Sequence, residues 1–445
     1  MWIGGSAAAA ADRPAPDPAA GQAAYEQSCA RCHGVQGKGN GVDAKRFYPR
    51  PRDLTLGVYK FRTTASGTPP TDEDLFHTIT YGLPGSNMPD WPHLDEATRW
   101  QLVAYLKSLS PVFEQTQPQP VTLAPDPGAK HDLAKGKELY GTLGCAACHG
   151  VNGHANGTSA PTLVDDWGMP IRPADLALGW NYRGGSTPRD IAMRLTAGID
   201  GAGMPSYLDA ISPEDAWQLA YYVASLQEPP QWRMIMRAAQ LEGELPATPD
   251  DPRWATVERT DVMVRNAVTP EGEWAKAPTV RVVSLQTVHN DDMIAWRITW
   301  TDPTQEQEGE VVDGIGLMLK PTGAAGDIVT LQAWPYEGAP SLDVCHWAAD
   351  TGAGETIAAN FDTIRSKARP EAPLASAASY EDGRWHVVLQ RPLKPTVPAA
   401  GSVLTPEQFA GVAVVVWDGG NPEARAVSPW VDMTLREPGK HSTHH

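Results

Sequence analysis

The sequence predicts a multidomain chain: two all-α domains followed by an all-β sandwich. Three observations predict it. A motif occurs twice, as Cys29-Ala-Arg-Cys32-His33 and Cys145-Ala-Ala-Cys148-His149, and each histidine is followed 55 residues later by a Met-Pro pair, Met88-Pro89 and Met204-Pro205. The surrounding sequence repeats as well, residues 71–109 aligning with 187–226 after one insertion. From about residue 256 the texture changes to short runs of Val, Ile, Thr and Trp split by turn signals. A length of 445 residues leaves room for about three domains.

In chain order, residues 1–20 read as an export-signal remnant and linker. Met-Trp-Ile-Gly-Gly-Ser followed by five alanines resembles the tail of a secretory signal with a small-residue cleavage region. Residues 21–112 form the first α domain, 113–130 a Pro-rich extended linker, and 131–228 the second α domain. Within each repeat, Thr71 or Thr187 is the N-cap of a helix that precedes the Met-Pro loop. A second helix follows the loop, with apolar residues near helical spacing: Trp100, Val103, Leu106, Leu109 and Trp217, Ala220, Val223, Leu226.

The motif carries the chemistry. Two thiols three residues apart lie on one face of a helical turn. Cys-x-x-Cys followed by His is the attachment signature of a c-type haem. Cys29, Cys32, Cys145 and Cys148 are therefore the expected thioether positions, and His33 and His149 the proximal iron ligands. A zinc site would use a different ligand spacing. Met88 and Met204, in polar loops unsuited to core packing, are the expected distal ligands. Met169, also followed by Pro, is the rival in the second domain. Arg62 and Arg183 close matching aromatic/basic clusters, Tyr59–Arg62 and Trp180–Arg183, and are candidate partners of haem propionates. On these residues, 21–112 and 131–228 resemble class I cytochrome c domains.

Residues 229–255 read as a linker with a short helix over Trp232–Leu241. Residues 256–436 read as the β-sandwich, with strands expected at 279–288, 293–300, 314–319, 327–334, 384–390 and 412–417 and a hairpin at Asn290-Asp291-Asp292. Residues 437–445 form a tail. Cys345 reads as a small buried residue. Several segments, among them Ile294–Thr304, Asp313–Pro321, His346–Asp350 and Val416–Asn421 with Ser428-Pro-Trp430, resemble the γ subunit of ethylbenzene dehydrogenase and related molybdopterin oxidoreductases. That resemblance implies a third, non-covalent b haem held by methionine and lysine. The chain departs from it. The stretch Leu331–Tyr336 has no methionine, and Arg425, a poor iron ligand, stands where the family has lysine. Met318, His346 and Lys320 are the substitutes at hand.

The net charge of −17, concentrated in the second and third domains, argues against nucleic acid and anionic lipid as partners. No apolar run is long enough to span a bilayer. The resemblances imply a periplasmic di-haem electron-transfer subunit of a molybdopterin oxidoreductase of the nitrite oxidoreductase kind. Its partners would be iron–sulfur and molybdopterin subunits on one side and a soluble cytochrome or an oxidase on the other. The alternatives are a free-standing multihaem carrier and a di-haem peroxidase-like enzyme, the latter requiring an iron with an open position. No catalytic constellation stands out.

Overall fold

The computed structural model describes residues 13–435 apart from 45–46, 48–49, 85, 170, 234, 268–278, 321–340, 360, 362–363, 365–371, 395–401 and 407. It divides into two compact units, Met1–Pro229 and Pro230–His445.

The first unit holds the helical repeat. Asp17 caps α1 (Pro18–Ser28) by accepting from the Ala19 and Ala20 amides. The first motif lies on the single turn α2 (Ala30–His33), followed by α3 (Asp72–Tyr81), α4 (Glu96–Ser108) and the short α5 (Val112–Gln115). The second copy repeats this with α6 (Leu133–Thr142), α7 (Ala146–His149), α8 (Pro188–Ala197) and α9 (Pro213–Ser225). Thr71 and Thr187 cap α3 and α8 as expected, each in a reciprocal capping box with Asp74 or Asp190. The crossings of α1 on α4 and α6 on α9 need glycine. A Cβ on Gly21 would sit 2.0 Å from the Gln101 carbonyl oxygen, and one on Gly136 2.3 Å from that of Gln218. Each domain has its own core, around Tyr25, Leu75, Leu102 and Val103 in the first and Leu139, Ile191, Trp217 and Leu219 in the second.

The linker expected over residues 113–130 begins inside α5 and ends in a 3-10 turn at Gly128–Lys130, and the chain between them is packed down. The Ala65 amide donates to Gln119 and the Val121 amide to Thr63, both at 2.8 Å. Further on, Ala124 accepts from Trp217 Nε1 at 2.8 Å. The same is true before α1, where Arg13 pairs with Asp72 and lies 4.2 Å over the Trp100 ring.

The second unit is built of two sheets. The short strands β1 (Ile235–Arg237) and β2 (Ala239–Gln240) stand where a helix was expected over Trp232–Leu241. Met236 and Ala238 are buried and Arg237 between them is exposed, which is the period of a strand. After them come β3 (Arg259–Met263), β4 (Arg265–Asn266), β5 (Val282–His289), β6 (Met293–Thr301), β7 (Gly314–Leu319), β8 (Leu342–Ala348) and β9 (Gly352–Ala358). The rest are β10 (Ala372–Pro373), β11 (Ala375–Glu381), β12 (Arg384–Pro392), β13 (Ala410–Trp417), β14 (Ala426–Val427) and β15 (Val431–Thr434). The expected strand at 327–334 lies outside the described residues.

One sheet runs β1-β15-β13-β7-β8-β9-β10, with β14 on β13 and β4 on β14. The other runs β11-β12-β6-β5-β2, with β3 on β5. β1 joins β15 in parallel, Met236 opposite Met433. Asn290 turns β5 into β6, its side chain accepting from the Asp292 and Met293 amides. Inward residues of both sheets share one core, including Leu285, Ile298, Leu317, Val387 and Val414. Cys345 is fully buried there. Beside it Arg391, fully buried, bonds Asp343 at 3.0 Å and Glu355 at 2.5 Å, so a buried charge is matched rather than orphaned.

Candidate haem sites

The two motifs are built alike to the level of single hydrogen bonds. Each motif helix ends at a glycine with positive φ, Gly34 at 80° and Gly150 at 79°. The tyrosine of the preceding helix donates across to that glycine, Tyr25 to the Gly34 carbonyl at 2.8 Å and Tyr140 to the Gly150 carbonyl at 2.6 Å. Each imidazole is oriented through Nδ1, His33 by the Arg52 carbonyl at 3.0 Å and His149 by the Ala174 carbonyl at 2.9 Å. This leaves Nε2 as the ligand nitrogen. Burial lowers both histidine pKa values, favouring the neutral imidazole a metal needs.

All four motif cysteines are unbridged and half-buried. Burial, reinforced by Cys32, pushes the Cys29 thiol up to about 12, and burial raises Cys32 and Cys145 as well. A redox dithiol has its pKa lowered, so this environment is the wrong one for that chemistry.

The methionine loops match too. The Leu83 amide donates to the Met88 carbonyl at 3.0 Å and the Ile199 amide to that of Met204 at 3.1 Å. Both methionines are half-buried.

In the first domain these groups face one cavity of about 760 Å³, lined by Cys29, Cys32, His33 and Met88. Two thiols, an oriented imidazole and a thioether around one largely apolar hollow fit a c haem. The donor set of the second domain is the same. The second domain also contributes to the first cavity, through Asp165, Trp167, Met169, Ile171 and Arg183. Trp167 lies under the Arg52 guanidinium at 4.1 Å and within 5.9 Å of Lys60. Met169, the sequence rival of Met204, thus lines the neighbouring domain's cavity.

The arginines divide. Arg183 lines the first domain's cavity together with Arg52 and Lys60. Arg62, fully buried, instead bridges the two domains, pairing with Asp200 at 2.8 Å and donating to the Ala197 carbonyl at 3.0 Å. Arg194 returns the contact by donating to the Arg62 carbonyl. The Arg62 charge is thus held by Asp200 at the junction between the domains. Arg52 and Lys60 were missed in the sequence. They sit beside the motif residues only once the 50–60 loop folds over His33.

Met318 and His346 are not placed to hold a third haem as a pair. Met318 on β7 is fully buried in an apolar cluster, and His346 lies on the adjacent strand β8, where Met318 pairs with Val344 and Gly316 with His346. Met318 and His346 therefore share one sheet face side by side. Axial ligands must approach an iron from opposite sides. Leu331–Tyr336 lies outside the described residues.

Comparison with known proteins agrees with the helical half. Residues 16–106 match the family described as cytochrome c oxidase, cbb3-type, subunit III, and residues 133–227 match the cytochrome c family. The chain carries two cytochrome c domains followed by a β-rich region, and is a multihaem c-type electron-transfer protein. It is similar to the Haloferax mediterranei protein named "Putative respiratory nitrate reductase heme subunit ORF7", 23% identical over 43% of this chain and 68% of that one. It also resembles the quinohemoprotein alcohol dehydrogenase ADH IIB of Pseudomonas putida, 30% identical over 26% of this chain. The match spans only 14% of that dehydrogenase. Among solved structures, a reducing HAO-like protein complex of Kuenenia stuttgartiensis aligns at 42% identity and TM-score 0.44, over 47% of this chain and 96% of that one. Among the described residues, no helix is long and apolar enough to cross a membrane.

Proposed function

We propose that this chain is the di-haem electron-transfer subunit of a periplasmic molybdopterin oxidoreductase of the nitrite or nitrate type. It would relay electrons between an iron–sulfur subunit and a soluble cytochrome or an oxidase. The observation that carries the reading is the pair of matched donor sets, Cys29/Cys32/His33/Met88 and Cys145/Cys148/His149/Met204, within one compact unit. Similarity to a nitrate reductase heme subunit supports the choice of partner enzyme.

Bound haem supplies a one-electron couple, raised in potential by His/Met ligation. The chain does the holding. Cys29 and Cys32, and Cys145 and Cys148, anchor the porphyrins. The Arg52 and Ala174 carbonyls fix the histidine tautomers, a constraint that also raises ligand basicity. Arg52, Lys60 and Arg183 bring positive charge to the first cavity, where propionates need it. Domain boundaries follow the same division: residues 21–112 and 131–228 carry the haems, and 256–436 acts as the docking module toward the iron–sulfur subunit.

Two measurements test this. A pyridine haemochrome assay on the matured protein should give two covalent c haems per chain and no acid–acetone-extractable haem. Purification from native cells should bring down a molybdenum-containing partner. Two haems without any such partner would leave a free-standing carrier, and fewer than two would refute the site itself.

A further inference from the structure

Three sequence segments that the haem sites leave unused meet at one end of the second unit. They are Thr301-Asp-Pro-Thr304, Asp313-Gly, and Trp417-Asp-Gly-Gly. We propose that Asp302, Glu306, Asp313 and Asp418 form a divalent-cation site suited to Ca²⁺.

The geometry favours a cation over a chance gathering of acids. Each residue offers a carboxylate oxygen, and these oxygens lie within 4.8 Å of one another. Four carboxylates gathered in one place make an all-protein oxygen cage of the kind Ca²⁺ takes, whereas Mg²⁺ usually keeps several waters and takes only one or two carboxylates. Asp302 is fully buried, and its Oδ2 has no hydrogen-bond partner. The charged groups acting on it are Asp418, Asp313 and Glu306, all acids. An ionised carboxylate in that setting needs a counter-charge or a proton. Asp313 and Asp418 are also buried, at 0% and 5% exposure.

The backbone is shaped around these oxygens. A Cβ on Gly420 would meet Thr304 Oγ1 at 2.5 Å, Asp418 Oδ1 at 3.3 Å and Glu306 Oε1 at 3.4 Å, so only glycine lets the chain approach them. Asp302, Thr304 and Glu306 follow one another at two-residue spacing, the spacing of the first ligands of an EF-hand loop. Asp313 is fixed by the Gly419 and Glu306 amides and by Trp385 Nε1 at 2.9 Å.

The experiment uses the full haem-loaded chain, stripped with a chelator and titrated with CaCl₂ in a calorimeter, with MgCl₂ as comparison. Thermal unfolding of the β unit is followed in parallel. One equivalent of Ca²⁺ should bind, at least tenfold tighter than Mg²⁺, and unfolding should move to higher temperature. Asp302→Asn, which keeps the shape and removes the charge, should weaken binding at least tenfold while the folded circular-dichroism spectrum persists. Absence of both heat and stabilisation would overturn the site and leave a shared proton as the neutralising species. Binding of equal strength in Asp302→Asn would place the ion elsewhere and overturn it equally. Should Asp302→Asn fail to fold, Glu306→Gln at the half-buried position gives the same reading.

Discussion

Arg183, Arg52 and Lys60 show how one residue's charge reaches a cofactor in another domain. All three line the first cavity, although Arg183 belongs to the second domain. Burial, with Arg52 and Arg183 nearby, lowers the Lys60 ammonium to about 8, the mark of cations crowded where an anion is wanted. A positive charge beside a haem favours the reduced iron. Arg183→Gln should therefore lower the potential of the first haem and leave the second unmoved. A tenfold change in the reduced-to-oxidised ratio would be about 59 mV for a one-electron couple. Spectroelectrochemistry in a Met204→His background separates the couples, because loss of the methionine ligand lowers the second potential. Movement of the second couple by Arg183→Gln would return that arginine to its own domain. The ligand residues were legible because covalent attachment demands thiols and imidazole at fixed spacing. The arginines were not, because Arg62 and Arg183 hold equivalent positions in the repeat and only the packing of one copy on the other sends them to different ends.

At the scale of elements, helices that begin with a strong cap and strands that alternate could be read directly, as α3 and α8 from their threonines and β5 and β6 from their alternation. The failure at β1 and β2 has a simple origin. Those strands are three and two residues long, too short to display a period, and they exist because β15 and β5 offer open edges to pair with. Strands β8 and β9 were missed because Asp343, Cys345, His346, Gly352, Gly354 and Glu355 break up the β-branched runs that made β7 and β13 legible. The start of α3 carries a testable charge. Burial pushes the Asp72 carboxyl up, but bonds from Lys107, at 2.6 Å, and Arg13 outweigh it and hold the group below its usual range. A depressed carboxylate stabilises the fold above the unfolded-state value of about 3.9, and that contribution disappears as pH falls through the folded-state value. Asp72→Asn should cost about 0.5–1 kcal/mol at pH 7, and the difference should vanish near pH 2. Denaturant unfolding at the two pH values checks it. An equal loss at both would mean the side chain matters for packing and not for charge.

Across the first unit, the two cytochrome domains are joined by more than a linker. Arg62 of the first reaches Asp200 and Ala197 of the second, Arg194 of the second reaches the Arg62 carbonyl, and Asp200 also accepts from Ser66 Oγ and the Gly67 amide at 2.7 and 2.9 Å. Burial lowers the Arg194 guanidinium to about 10 against the pull of Asp74, so both sides of the junction carry desolvated charge. Such contacts are costly to break singly, because the partner is left buried and unmatched. The repeat on its own would allow two beads on a flexible string. The Arg62–Asp200 ion pair and the hydrogen bonds around it, with the 113–130 segment strapped over both domains, instead predict one cooperative unit, and electron exchange between haems held at fixed spacing. Arg62→Gln and Asp200→Asn should each split the unfolding of the helical half, followed at the haem bands, into two steps. The double substitution should cost less than the sum of the single ones, with a coupling of about 1–3 kcal/mol. Strict additivity, or a single unchanged transition in Arg62→Gln, would show that the domains fold and transfer electrons independently of this junction.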